Sequence, residues 1–150
     1  MKYDLQALSD IAEIRQLNAR YNRLADMGDG EAYALNYTED AEFNIVGNKI
    51  YRGRKEIAEA AASTTVTVHV TTEPEIELHG DTATQRVRMM SLLNNGDRNE
   101  FISTGWYIDT LKRTPEGWRY HRREVRLDLG VEQVFEKMGI AEAFHKLAGQ

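Results

Sequence analysis

His69 is the side chain of this sequence best suited to proton transfer near neutral pH. It lies in the stretch Thr64-Thr65-Val66-Thr67-Val68-His69-Val70-Thr71-Thr72, where branched apolar residues alternate with polar ones. The alternation predicts a β-strand with Val66, Val68 and Val70 on one face and Thr65, Thr67, His69 and Thr71 on the other. A row of threonines around a histidine suits a solvated surface. It also suits a polar pocket, where an imidazole serves as general base or acid without a large change in its pKa. Asp26 is the second candidate. It falls in the last turn of an expected helix, where a carboxylate meets the partial negative charge of the helix end, so its position needs another reason.

Arginine is dense on the last expected strand, with Arg119, Arg122, Arg123 and Arg126 in eight residues. Strand alternation puts Arg122 with Arg126, and Arg119 with Arg123 on the opposite face. An inward arginine, Arg123 for example, would be a fixed cation for a developing enolate, phenolate or leaving group. The alternative for each is cross-strand pairing with a carboxylate. Tyr21, five residues before Asp26, could look into the same cavity or be a core aromatic with its hydroxyl at the rim. Trp106, Met89, Phe101 and Trp118 read as core or as the apolar wall of a small-molecule pocket.

Other chemistries find little support. The chain has no cysteine, which removes thiolate nucleophiles, disulfides and cysteine metal sites. Its histidines at 69, 79, 121 and 145 lack metal-ligand spacing, and no glycine-rich phosphate loop is present, so neither metal nor external cofactor is expected. His79 reads as a turn residue and His121 as outward-facing. A formal charge of −5 disfavours a general nucleic-acid binder. No apolar run approaches the roughly 20 residues of a membrane helix, and Met1-Lys2-Tyr3-Asp4 does not open a signal peptide. A cytoplasmic protein acting on a small molecule is expected.

The elements that must position these residues follow from periodicity over 150 residues, the size of one domain. Ile11, Ile14, Leu17, Tyr21 and Leu24 predict an amphipathic helix from Ser9, its cap, to about Asp26, closed by Met27-Gly28-Asp29-Gly30. A short helix over Glu31 to Tyr37, a strand at Ala41–Ile45, a turn at Gly47-Asn48 into Lys49-Ile50-Tyr51, and a helix over Arg54 to Ala62 come next. Four strand runs follow, Thr65–Leu78, Thr82–Leu93, Asn99–Lys112 and Gly117–Leu129. Turns at His79-Gly80-Asp81, Asn94-Asn95-Gly96-Asp97 and Thr114-Pro115-Glu116-Gly117 make them an antiparallel meander. The tail Val131 to Leu147 spaces Val134, Phe135, Met138, Ile140, Phe144 and Leu147 helically and should cover a cavity mouth or a partner subunit. Three helices followed by a curved, mainly antiparallel sheet define an α+β class with a cone-shaped hollow.

Tyr51-Arg52-Gly53 before a helix, Gly105-Trp106-Tyr107-Ile108-Asp109, and Gly117-Trp118-Arg119-Tyr120-His121-Arg122-Arg123 carry a family resemblance. With this element order the chain resembles the SnoaL-like branch of the nuclear-transport-factor-2-like (NTF2-like) fold, from about Ile11 to Leu127. That fold hosts dehydratases, isomerases, cyclases, hydrolases and binding proteins. In scytalone dehydratases and hexachlorocyclohexane dehydrochlorinases, an aspartate ending the first helix pairs with a histidine on the strand after the third. Asp26 and His69 match those positions, whereas Ala25 stands where scytalone dehydratases have a tyrosine. The resemblance implies a cofactor-independent, dehydratase-type lyase acting on a small hydroxylated or aromatic molecule. His69 would be the base, Asp26 its orienting partner, Tyr21 and Arg123 substrate-polarising groups, and Trp106 and Met89 pocket wall. Its rivals are retro-aldol loss of formaldehyde from an aromatic dimer, a ketosteroid-isomerase-like or polyketide-cyclase activity, and a non-enzymatic ligand-binding domain.

The helices can cover only one face of the meander. On Thr82–Leu93 and Asn99–Lys112 both faces mix large apolar groups with polar ones, as an interface does. A homo-oligomer is therefore expected, and the resemblance favours a trimer slightly over a dimer.

Overall fold

The computed structural model describes residues 2–62, 67–94 and 96–137. Helix α1 (Leu5–Met27) starts earlier than its apolar periodicity suggests, because Asp4 caps it in place of Ser9. The Asp4 carboxylate accepts the Ala7 N–H at 2.7 Å, satisfying a donor that the first turn leaves without a helical partner. At the other end Gly28 adopts φ 68°, a left-handed conformation that glycine enters without a Cβ penalty, and α1 stops one residue after its last turn places Asp26. Ile14, Leu17, Tyr21 and Leu24 are buried, as their spacing predicts. Asp10 and Asn18 lie in the same buried stripe.

Helix α2 (Gly30–Ala34) ends short of Tyr37, because Tyr37 already opens strand β1 (Tyr37–Ile45). After β2 (Ile50–Arg52), helix α3 (Gly53–Ala61) packs on β1 and α2. The remaining strands are β3 (Thr67–Thr71), β4 (Glu75–His79), β5 (Thr82–Asn94), β6 (Asn99–Thr114) and β7 (Gly117–Leu127). The run expected as one strand over Thr65–Leu78 is thus two strands. Thr72-Glu73-Pro74 interrupts it, with Pro74 lacking the N–H that a ladder needs. Thr64, Thr65 and Val66 at the start of that run lie outside the described residues, as does Asn95 of the next turn.

The curved, unclosed sheet runs β2-β1-β7-β6-β5-β3, with β4 also on β5. Only the β1–β7 pair is parallel. Helix α1 lies across the inner face, touching β3 and β7. Helix α4 (Val131–Lys137) packs on β6 and buries Val134. The expected continuation of that helix through Met138, Ile140, Phe144, His145 and Leu147 lies outside the described residues.

Two of the sheet's three register shifts bear on which side chains face inward, the third lying between Tyr37 and Glu42 of β1. Between Thr110 and Leu111 on β6 the register shifts from Arg122 to Tyr120 of β7, so His121 is an extra residue. Trp118 and Tyr120 before the bulge, and Arg123 and Val125 after it, therefore share the buried face. Plain alternation would have put Arg119 beside Arg123. The extra residue separates them, while Arg122 and Arg126 remain together on the exposed face. There Arg122 and Arg126 pair with Glu124 at 2.7 and 3.0 Å, and Arg86 pairs with Glu75 at 2.7 Å. Cross-strand and near-neighbour pairing thus accounts for these outer arginines. The second bulge lies between Ser91 and Leu92 of β5. Phe101, expected as core or wall, is about half exposed.

Candidate active site

Asp26 and His69 meet where the end of α1 crosses β3. The Asp26 Oδ1 atom lies 2.7 Å from His69 Nδ1 and accepts the His69 backbone N–H at 2.9 Å. The favourable reason for a carboxylate at a helix C-terminus is therefore these two donors from the sheet. A carboxylate only accepts, so the neutral ring carries its proton on Nδ1 and turns an unshared pair outward at Nε2. Among the described residues Nε2 has no hydrogen-bond partner. The side chains are 21% and 28% exposed for His69 and Asp26, so the pair is sheltered yet reachable.

The pair is the last rung of a polar seam. Asn18, Asn22 and Asp26 follow one another at four-residue spacing and so share one face of α1. Asn22 Nδ2 donates to Thr71 Oγ1 at 2.9 Å, one rung before the dyad, and clamps α1 to β3. Asn18 exchanges amide hydrogen bonds with Gln85 at 2.9 and 2.8 Å. Gln85 also donates to Asp109 Oδ2 at 2.6 Å. On β3, Thr67, His69 and Thr71 face inward, while Val70 on the opposite face is a little under half exposed. The polar row of this strand is its inner one. Sequence reasoning passed over Asn22 and Asn18, although a run of polar residues at four-residue spacing inside an apolar helix stripe was a visible signal.

Tyr21 and Arg123 belong to a deeper cluster, which the seam reaches through Asp109. Arg123 is 1% exposed, and its Nε and Nη2 donate to the two Asp109 oxygens at 2.8 and 2.7 Å. Its guanidinium carbon sits 4.0 Å from the ring centroids of Tyr21, Tyr107 and Tyr120, a cation enclosed by aromatic faces. Burial works against its charge, but the Asp109 carboxylate outweighs that and holds the guanidinium protonated. Tyr33 donates to the Tyr21 hydroxyl at 2.6 Å. Burial pushes the Tyr33, Tyr37 and Tyr107 hydroxyls well above their ordinary value of 10, so they stay neutral. Gln85 and Asn18 join this cluster to the seam, Gln85 through Asp109 and Asn18 by accepting from the Tyr120 hydroxyl; among the described residues no hydrogen bond joins it directly to Asp26 or His69.

Met89 is buried on the inner face and pairs in register with Thr71, next to the dyad. Trp106 is not a wall residue. It alternates with the inward Gly105 and Tyr107 and stands on the outer face, 38% exposed, with the Arg88 guanidinium 5.1 Å from its ring. Trp118 is buried core, and its Nε1 donates to Asp10 at 3.1 Å. His121 approaches Thr38 and Asp40 at the surface, as its outward placement predicts. Among the described residues no cluster of three or more His, Cys, Asp or Glu could hold a metal ion. Three open grooves, of about 1160, 660 and 710 Å³, lie elsewhere on the surface, and neither Asp26 nor His69 lines any of them. The dyad sits instead at the gap between α1 and β3.

A profile of the SnoaL-like domain matches residues 6–124. The chain belongs to the SnoaL-like family. An NTF2-like protein of Novosphingobium aromaticivorans with a cystatin-like fold is 34% identical to this SnoaL-like chain. The likeness covers 84% of this chain and 86% of that one, with a TM-score of 0.78. Rv3472 of Mycobacterium tuberculosis, a protein of unknown function solved as an aspartate-to-asparagine variant, is 28% identical with a TM-score of 0.83, covering 95% and 92%. A second Novosphingobium aromaticivorans protein, provisionally named a scytalone dehydratase, shares the fold at 23% identity and a TM-score of 0.73, covering 81% and 86%. Rv2910c, an uncharacterized Mycobacterium tuberculosis protein, is 28% identical over 123 residues, covering 77% of this chain and 84% of its own. No helix among the described residues is long and apolar enough to cross a membrane.

Proposed function

We propose that this SnoaL-like protein is a cofactor-independent lyase of the dehydratase type, acting on a small, largely apolar, hydroxylated aromatic molecule. The observation that carries this reading is the 2.7 Å contact between Asp26 and His69 Nδ1, with Nε2 left without a hydrogen-bond partner among the described residues. In the proposed reaction His69 Nε2 takes a proton from carbon. The electron pair released forms the new double bond as the hydroxyl on the neighbouring carbon departs, and the imidazolium returns its proton so that water leaves. Asp26 keeps the ring in the productive tautomer and stabilises the imidazolium while it exists. General acid–base catalysis of this kind contributes about 10²–10⁴-fold. The name given to the dehydratase-like neighbour agrees with this assignment.

The experiment is a cofactor-free screen of hydroxylated aromatics with product detection, with wild type and His69→Ala run side by side and circular dichroism as the fold control. Turnover should vanish in His69→Ala without loss of fold, and wild-type turnover should survive exhaustive chelation. A folded His69→Ala protein that keeps full activity would remove His69 from the chemistry. Metal-restorable loss on chelation would replace the dyad with a hydrated metal.

A second reading has one observation in its favour. Asp26 also binds the His69 backbone N–H, so the carboxylate could serve only to join α1 to the edge of the sheet in a ligand-holding domain. Absence of turnover across the screen, together with saturable ligand binding, would select it.

A further inference from the structure

Strand β1 begins at Tyr37, opposite Tyr120 of β7, so Gly117, Trp118 and Arg119 have no neighbouring strand on that side. Side chains take its place. The Trp118 N–H donates to Glu13 Oε1 at 2.7 Å, and the Trp118 carbonyl accepts from Arg119 Nη1 at 2.8 Å. Arg20, from α1, donates through Nε to Asn36 Oδ1 at 2.8 Å, and Arg54, from α3, through Nε to the Tyr37 carbonyl at 2.9 Å. Asn36 and Tyr37 are fully buried, and the Asn36 carbonyl accepts the Tyr120 N–H at 2.9 Å, so both acceptors are fixed to β7. Three guanidiniums from three elements are thus gathered at one corner, each pinned by a single N–H to a rigid acceptor. Burial first, and then the Arg20 and Arg54 charges, hold Arg119 below its ordinary value, against the opposing pull of Glu116 and Glu13.

These three are paired unlike the rest. Every other described arginine except Arg23 has a carboxylate oxygen within 3.3 Å. Arg20 and Arg119 form no ion pair among the described residues, and Arg54 reaches only Glu116, 3.9 Å away on a side chain 70% exposed. Glu13 is occupied by the Trp118 N–H. A guanidinium cannot shed its proton to relieve the repulsion of its neighbours, so the clustered charge persists at any working pH. Arg119 Nε is sealed without a partner, which leaves Nη2 as the donor that Arg119 can offer outward.

We propose that Arg20, Arg54 and Arg119 form a binding site for a phosphate group, either free phosphate or the head of a phosphomonoester. One guanidinium fork saturates a planar carboxylate, whereas three forks held on different elements suit a tetrahedral anion with several acceptor oxygens. The site is independent of the dyad, because Arg20 lies on the flank of α1 opposite Asn22 and Asp26. Arg54 also lines the 710 Å³ groove between α2 and α3, beside Ala34, Leu35, Ala58 and Ala62, so the apolar part of an ester has a surface next to the phosphate.

The test is calorimetric titration of the full chain at low ionic strength with inorganic phosphate, phenyl phosphate and benzoate. Phosphate should bind at a single site, and Arg20→Gln, Arg54→Gln and Arg119→Gln should each weaken it about tenfold, as the loss of a charged hydrogen-bond donor predicts. Arg126→Gln, which removes the same charge from the outer sheet face, should change it by less than about twofold, since exposed charges that far apart are screened. Arg20 is exposed, so Arg20→Gln keeps the test decisive even where Arg119→Gln fails to fold. Phenyl phosphate binding more tightly than phosphate, with the gain lost in Leu35→Ser, would identify an ester as the ligand; equal affinities would identify the free ion. No phosphate binding by the folded wild type, binding indifferent to Arg20→Gln and Arg54→Gln, or an equal loss in Arg126→Gln would overturn the site. Benzoate binding as tightly as phenyl phosphate would overturn the phosphate class.

Discussion

At the scale of single residues, Asp26 makes two contacts, to the His69 ring and to the His69 backbone N–H, and one substitution separates them. Asp26→Asn keeps an oxygen acceptor for the backbone N–H but favours the wrong ring tautomer, since an amide also donates. Turnover should fall by about 10²–10⁴-fold with stability nearly unchanged, as expected when an orienting carboxylate is lost. A fall below about tenfold, or 1.4 kcal/mol, would restrict Asp26 to joining helix and sheet. Asp109 has a different role. Its two oxygens accept from Arg123 Nε and Nη2, and it is the carboxylate paired with that guanidinium inside a site that water does not reach. Asp109→Ala leaves that cation buried and unpaired, so urea unfolding should show a loss of about 3–5 kcal/mol. A loss under about 1 kcal/mol would mean that the three tyrosine rings suffice to hold the charge.

At the scale of elements, the tie between α1 and the far end of the sheet depends on pH in a definite direction. Arg113 donates to both oxygens of buried Asp10, at 2.6 and 2.7 Å, and holds its carboxyl down from 3.8 to about 2. A depressed folded-state value means that the stabilisation is complete above about pH 4 and is lost as pH falls through about 2. Denaturant midpoints measured across that interval should drop steeply in wild type and more gently in Asp10→Asn; parallel curves would exclude Asp10 as a source of the acid sensitivity.

The same helix shows what could be read in the sequence and what could not. Ile14, Leu17, Tyr21 and Leu24 announce their buried face because period 3.6 is a property of local order alone. The start of α1 was misplaced because two capping residues compete, and only the path of the chain shows that Asp4, not Ser9, reaches a free N–H. The β7 faces were misread for a related reason. A bulge inserts one residue without altering composition, so Arg119 and Arg123 kept the right spacing for a shared face and lost it at His121. Trp106 reads as core or wall from its apolar character, and only the burial of Gly105 and Tyr107 on either side puts it on the opposite face. Asp26 and His69 were legible as a pair only through the resemblance, since nothing local connects positions 43 residues apart. Asn22 carries its signal in the four-residue spacing from Asn18 and Asp26, which a search for apolar periodicity alone passes over.

At the scale of the whole molecule, the outer sheet face carries exposed Val70 and Trp106 among paired arginines and carboxylates. A homo-oligomer through this face is the expected state, a trimer slightly ahead of a dimer, burying more than about 1,200 Å² per contact. Sedimentation equilibrium at micromolar protein should give a multiple of the chain mass. A clean monomer would show that the pairing of charges around Trp106 is enough to keep this face in water.

The meeting of Asp26 with the His69 N–H has a consequence for how the protein keeps to itself. Strand β3 closes one side of the sheet, and an unpaired amide there is an invitation to any passing extended chain. Asp26 occupies that amide with a negative charge, so the residue proposed to orient the base also denies a foreign strand its first foothold. Replacement by alanine would then unmask an adhesive margin as well as remove the proposed orienting carboxylate.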